Sequence, residues 1–135
     1  MRTLSTLLFI LAIQLAAPAF AESDLSCTIT GVSEITADGR MEALAGKQNY
    51  YETAVGAEFI VQRDKGLMAG RFVDNMGWQV KVISTGSAQQ SFKVLSTRPS
   101  GRVQSQFLEV RLQEKGAKKP FTLLATEILH GYCTL

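Results

Sequence analysis

The sequence predicts an all-β domain: a small, mainly antiparallel barrel or two-sheet sandwich of seven or eight strands in meander order. Three observations lead there. Apolar and polar residues alternate with period two over several short segments, which puts apolar side chains on one face of a strand and polar ones on the other. Turn-forming residues recur between these segments at intervals of roughly a dozen positions, the spacing of consecutive antiparallel hairpins. Two cysteines, Cys27 and Cys133, stand near the ends of what would remain after export, so one disulfide would tie the first strand to the last.

Taken in chain order, a first strand is expected around residues 27–35, closed by the turn Ala37-Asp38-Gly39-Arg40. Met41-Glu42-Ala43-Leu44-Ala45 holds good helix formers before Gly46, so a short helix near residues 41–53, or a long loop, is expected next. Phe59-Ile60-Val61 and residues 67–73 flank Asp64-Lys65-Gly66, where glycine supplies the positive φ that a three-residue hairpin loop requires. In Trp78-Gln79-Val80-Lys81-Val82 the apolar side chains share one face, and Ser91-Phe92-Lys93-Val94 repeats the pattern. Leu108-Glu109-Val110-Arg111-Leu112-Gln113 extends it, with Glu109 and Arg111 outward. Turns are expected at Asp74-Asn75-Met76-Gly77, Thr85-Gly86-Ser87-Ala88 and Arg98-Pro99-Ser100-Gly101. Residues 120–133 have room for two short strands or one bent one, with Gly131 at a bulge near the disulfide. The alternating segments lack the three- and four-residue apolar spacing of an amphipathic helix.

The first 21 residues have the layout of a secretory signal peptide. Arg2 supplies the positive start, residues 4–17 are almost wholly apolar, and Ala19-Phe20-Ala21 offers small residues where a signal peptidase reads. Cleavage after Ala21 leaves residues 22–135 as a single exported domain, periplasmic or secreted, of 114 of the 135 residues. The apolar stretch is shorter than the roughly 20 residues that span a membrane, and no later segment approaches that length. Cys27 lies six residues beyond Ala21, which argues against a lipid-anchored cysteine at the cleavage point. The outward charges of the later strands argue against an outer-membrane barrel, whose lipid face is an unbroken apolar band.

A chain of this size supports one core. With Arg2 removed, 13 basic residues face 12 acidic ones, so no strong field steers the domain toward nucleic acid or an anionic membrane. Lys115, Lys118 and Lys119 form the nearest thing to a basic cluster, within a Gly- and Pro-punctuated turn. A disulfide between Cys27 and Cys133 would close a loop of 106 residues, and its structural role accounts for both thiols. No C-x-x-C spacing points to redox chemistry.

The sequence carries no catalytic or metal-binding signature. Its only histidine is His130, no Gly-x-Ser-x-Gly elbow accompanies it, and the glycines fall singly at turns without forming a phosphate cradle. One histidine and two oxidised cysteines leave no zinc set. Carboxylate pairs such as Glu34 with Asp38, Glu42 with Glu52 and Glu58 with Asp64 fall at turns or on outward strand positions, where solvation explains them. The arginines, Arg63 and Arg71 included, read as surface charges, Arg71 being the one to examine beside Phe72. The expectation is therefore a protein without catalytic residues, cofactor or metal, and a monomer.

Two aromatic groups remain. Tyr50 and Tyr51 are adjacent, so in extended chain at most one enters the core, and Phe107 shares a strand side with Glu109 and Arg111. These three form a candidate binding surface for a protein partner in the cell envelope. Phe59, Phe72, Trp78 and Phe92 are candidate core residues, or the lining of a pocket for a small apolar ligand carried in the barrel mouth. In size and architectural class the domain is similar to the small disulfide-linked lysozyme inhibitors of the bacterial periplasm. Their Ser-Gly-x-x-Tyr type signature is absent, so that likeness implies no site residue and adds only an exported hydrolase to the expected kinds of partner. A minimal hydrolase is the least supported expectation.

Overall fold

A computed structural model describes residues 23–44, 52–99 and 104–135. Nine strands form one antiparallel sheet that curls into a nearly closed barrel: β1 (Leu25–Ile35), β2 (Met41–Ala43), β3 (Glu58–Gln62), β4 (Leu67–Gly70), β5 (Gln79–Ser87), β6 (Gln90–Arg98), β7 (Gln104–Val110), β8 (Lys119–Leu124) and β9 (Ile128–Thr134). The sheet runs β4, β3, β1, β9, β8, β7, β6, β5, with β2 attached to β1 as a short arm. Strands β5 to β9 are a meander, and β9 then pairs with β1, so the first and last strands meet in the middle of the sheet.

The alternation expected from sequence decides which side faces in. Phe92, Val94, Leu108, Val110, Phe121 and Leu123 are buried on the inner face of β6, β7 and β8, opposite Leu25, Cys27, Ile29, Phe59 and Val61 from β1 and β3. Burying a side chain of this size contributes about 1.5 to 3 kcal/mol. Phe59 and Phe121 meet edge to face, with ring centroids 5.3 Å apart. Cys27 and Cys133 lie directly opposite each other in the β1–β9 ladder, both fully buried, and are joined by a disulfide.

Several local expectations are corrected. No helix forms in the described part of residues 41–53: Met41–Ala43 pairs as β2 with residues 33–35 of β1, and only a 3-10 turn follows at Glu52–Ala54. Five helix formers are too short a run to make a stable helix on their own, and the open edge of β1 supplies hydrogen bonds that propensity does not. The β5–β6 reversal falls on Ala88 and Gln89, with Thr85, Gly86 and Ser87 still in β5. The bulge near the disulfide lies on β1, between Ile29 and Gly31, and Gly131 sits opposite Ile29. A Cβ on Gly131 would collide with the Thr28 carbonyl, so this glycine permits a close strand approach.

The two ends of the sheet, β4 and β5, close by side chains instead of a backbone ladder. Asn75, fully buried in the link between them, covers β4: its backbone N–H donates to Met68 O at 3.3 Å, and its Oδ1 accepts from Met68 N at 2.7 Å. Its Nδ2 donates to Gly66 O and to Ser96 Oγ, each at 2.9 Å. At the other end of β5, Arg63 Nη2 donates to the carbonyls of Thr85, at 2.8 Å, and Gly86. Arg63 is only 8% exposed, contrary to the surface role expected for it, because the guanidinium satisfies carbonyls that no strand reaches. Gly66 has φ of 69° in the β3–β4 turn, as expected, and lies against Val80, Val82 and Val94. Gly66→Ala should therefore lower stability by about 1 to 2 kcal/mol, from left-handed backbone strain and crowding of the valines, measured by urea unfolding.

Candidate partner-binding face

The four candidate core or pocket residues occupy separate places. Phe59 and Phe92 are buried in the core, where Phe59 packs on Phe121 and Phe92 is fully enclosed. Phe72 is half-buried against the core, with the exposed Arg71 guanidinium 5.1 Å from its ring centroid. Trp78, also half-buried, lines an open cleft of about 550 Å³ with Asp74, Met76, Gly77, Arg98 and Pro99. Asp74 Oδ1 accepts from Met76 N at 2.6 Å and fixes that rim. Neither Phe59 nor Phe92 contributes to this cleft, so the structure does not gather the four aromatics into one pocket. Tyr50 and Tyr51 lie outside the described residues.

Phe107 is half-buried on the outer face of β7, and the registers give it apolar neighbours on both sides. Leu95 of β6 pairs with Phe107, Phe107 with Leu124 of β8, and Leu124 with Ile128 of β9. These four residues make one row across four strands. Strand spacing of about 4.8 Å gives that row a span of roughly 14 Å. Leu124 is 46% exposed, while Leu95, Phe107 and Ile128 are half-buried. The row ends at Ser33 of β1 on one side and Lys81 of β5 on the other.

The next row on the same face is polar. Lys93, Glu109, Thr122, His130 and Gly31 follow one another in register. Lys93 Nζ and Glu109 Oε1 are 3.5 Å apart, a partly exposed pair of the kind worth about 0 to 1 kcal/mol, which orients charge beside Phe107 more than it stabilises the fold. His130 is exposed, and its imidazole covers Gly31, where a Cβ would meet the ring. Among the described residues no group of three or more His, Cys, Asp or Glu side chains is arranged to hold a metal ion, and no helix is long and apolar enough to cross a membrane.

Leu95, Leu124 and Ile128 were not singled out from sequence, yet each carries a signal. Val94-Leu95, Phe107-Leu108, Leu123-Leu124 and Ile128-Leu129 are apolar doublets on four successive strands. Adjacent strand residues point to opposite faces, so each doublet must place one apolar side chain outward. Val94, Leu108, Leu123 and Leu129 form the buried inner row, and their partners form the outer one. Comparison with protein-family models, with curated proteins and with solved structures finds no match to this chain, so its site is defined by this geometry alone.

Proposed function

We propose that the protein is a non-catalytic binding module of the cell envelope that recognises a protein partner through the outer sheet face centred on Phe107. In this reading residues 1–21 direct export, cleavage follows Ala21, and the domain works in the periplasm or outside the cell, with an exported hydrolase among the partners such a module would hold. The Cys27 to Cys133 disulfide is consistent with an oxidising, extracytoplasmic compartment. The observation that carries the function is the row of Leu95, Phe107, Leu124 and Ile128. A single exposed leucine is ordinary surface. Four outward apolar side chains in register, bordered by an oriented ion pair, form the apolar centre and polar rim of a protein interface.

A carrier of a small apolar ligand has less support, because Phe59 and Phe92 are engaged in the core. The test is a double substitution, Phe107→Ser with Leu124→Ser. Both side chains are partly solvated, so stability should fall by about 1 kcal/mol or less. The immobilised wild-type protein should retain a partner from envelope extract that the variant retains at least about tenfold less well, equivalent to about 1.4 kcal/mol. Identical sets of proteins retained by the two would overturn the reading.

A further inference from the structure

The outer edge of β5 is a feature separate from the Phe107 face. β5 and β4 are the two ends of the sheet; among the described residues β4 is covered by the backbone and side chain of Asn75 at Met68, whereas β5 is met by Arg63 at Thr85 and Gly86 alone. β5 pairs with β6 on one side. Among the described residues no backbone hydrogen bond reaches its other side, where Arg63 accounts for the carbonyls of Thr85 and Gly86. Residues 79–83 therefore present, at every second position, an outward backbone donor and acceptor.

The side chains agree with an uncovered edge. Val80 and Val82 point inward yet are only half-buried, whereas Ser96 and Val94 opposite them on β6 are fully enclosed. Ile83 is 49% exposed at the irregularity between Val82 and Ser84. Lys81 is the single charged residue of β5 and forms no ion pair among the described residues. We propose that this edge takes an extended segment of a partner polypeptide as an added strand along residues 79–83, with apolar side chains over Val80 and Val82 and a carboxylate opposite Lys81. Backbone hydrogen bonds supply the affinity of such strand addition, and the alternating side chains supply the selectivity.

A second copy of this chain fits the edge less well. Antiparallel self-pairing over residues 79–83 centres on Lys81 and sets it against its own copy, and like charges directly opposite are destabilising. A carboxylate there forms the favourable cross-strand pair instead.

The experiment uses the full, disulfide-bonded, isotope-labelled protein and the probe peptide acetyl-Thr-Val-Glu-Val-Thr-Val-amide. In the free protein, alternate amides of residues 79–83 should exchange with solvent nearly as fast as unstructured chain. At millimolar peptide the resonances of these residues should shift and their exchange should slow, whereas the same peptide N-methylated at alternate residues should do neither. Lys81→Glu should reverse the preference between this peptide and its Glu-to-Lys analogue, each binding ratio changing about fivefold, as attraction becomes repulsion. Phe107→Ser should leave peptide binding unchanged, which separates this edge from the face proposed above. The proposal is overturned if these amides are already protected in the free monomer, if sedimentation shows a micromolar dimer that protects them, or if the peptide shifts only residues elsewhere or none.

Discussion

Asn75→Ala should lower the unfolding free energy by roughly 3 to 5 kcal/mol, one of the two largest losses expected from a change at a polar or cysteine position. The side chain is fully buried and makes three hydrogen bonds, accepting from Met68 N and donating to Gly66 O and Ser96 Oγ. Alanine removes all three and leaves the Met68 donor and the Gly66 acceptor inside the fold without that partner. Each stranded group costs about 1 to 3 kcal/mol, more than the net worth of the bond it lost. The backbone bond from Asn75 N to Met68 O survives, so β4 should stay docked in the native state but open more readily. Urea unfolding measures the total, and faster exchange of the Met68 amide locates it. A loss under about 1 kcal/mol would show that solvent reaches this end of the barrel.

Asn75 also marks the limit of what the chain discloses. Asp74-Asn75-Met76-Gly77 has turn chemistry, and a turn is there, but sequence does not say that its asparagine points inward and stands in for a missing strand. Arg63 is the same case at the opposite end of β5, where it was expected to be a surface charge. Both residues satisfy backbone groups left over where the sheet fails to close, and the position of that gap depends on the register of all the other strands. Local alternation could not reveal it. By contrast, the strands β5 to β9, the glycine turn at Gly66 and the pairing of first and last strands were legible, because each rests on short-range periodicity, a positive φ or a cysteine pair, although β7 ends at Val110 and not at the expected Gln113. After β1, a short helix or a long loop was expected where β2 forms, because the five helix-favouring residues 41–45 lie beside an open strand edge that propensity does not see.

The candidate face was legible in part. Phe107 stood out because its same-side neighbours are charged, yet its apolar company comes from other strands. The four doublets declare that apolar side chains must face outward, while only the registers show that those side chains line up. A one-residue slip of β8 would bring Leu123 out in place of Leu124 and leave a gap in the core. The buried inner row therefore fixes the outer row's alignment. The same pairing energy that folds the barrel holds the proposed interface in place, with little rearrangement needed on binding.

Replacing both cysteines, Cys27→Ala with Cys133→Ala, should lower stability by about 4 to 5 kcal/mol, the chain-entropy cost of releasing a loop of this length. The bond closes a separation of 106 residues and lies within the β1–β9 pairing, the one strand ladder among the described residues that joins the β5 to β9 meander to the β1, β3, β4 group. Opening that seam exposes both halves of the core, so the loss should be felt by the whole domain and not as local fraying. The denatured chain expands without the cross-link, and the slope of urea unfolding should rise with it, because m follows the surface exposed. Strand content measured by circular dichroism should persist at low temperature, since β5 to β9 pair through neighbours close in sequence. Both sulfurs are fully enclosed, so in the wild-type protein reductant should act only as fast as the seam opens, and a denaturant concentration that speeds unfolding should speed reduction in proportion. A stability loss below about 1 kcal/mol would show that the β1–β9 ladder holds the barrel closed without the bond, and fast reduction under native conditions would show that this seam opens freely in the folded protein.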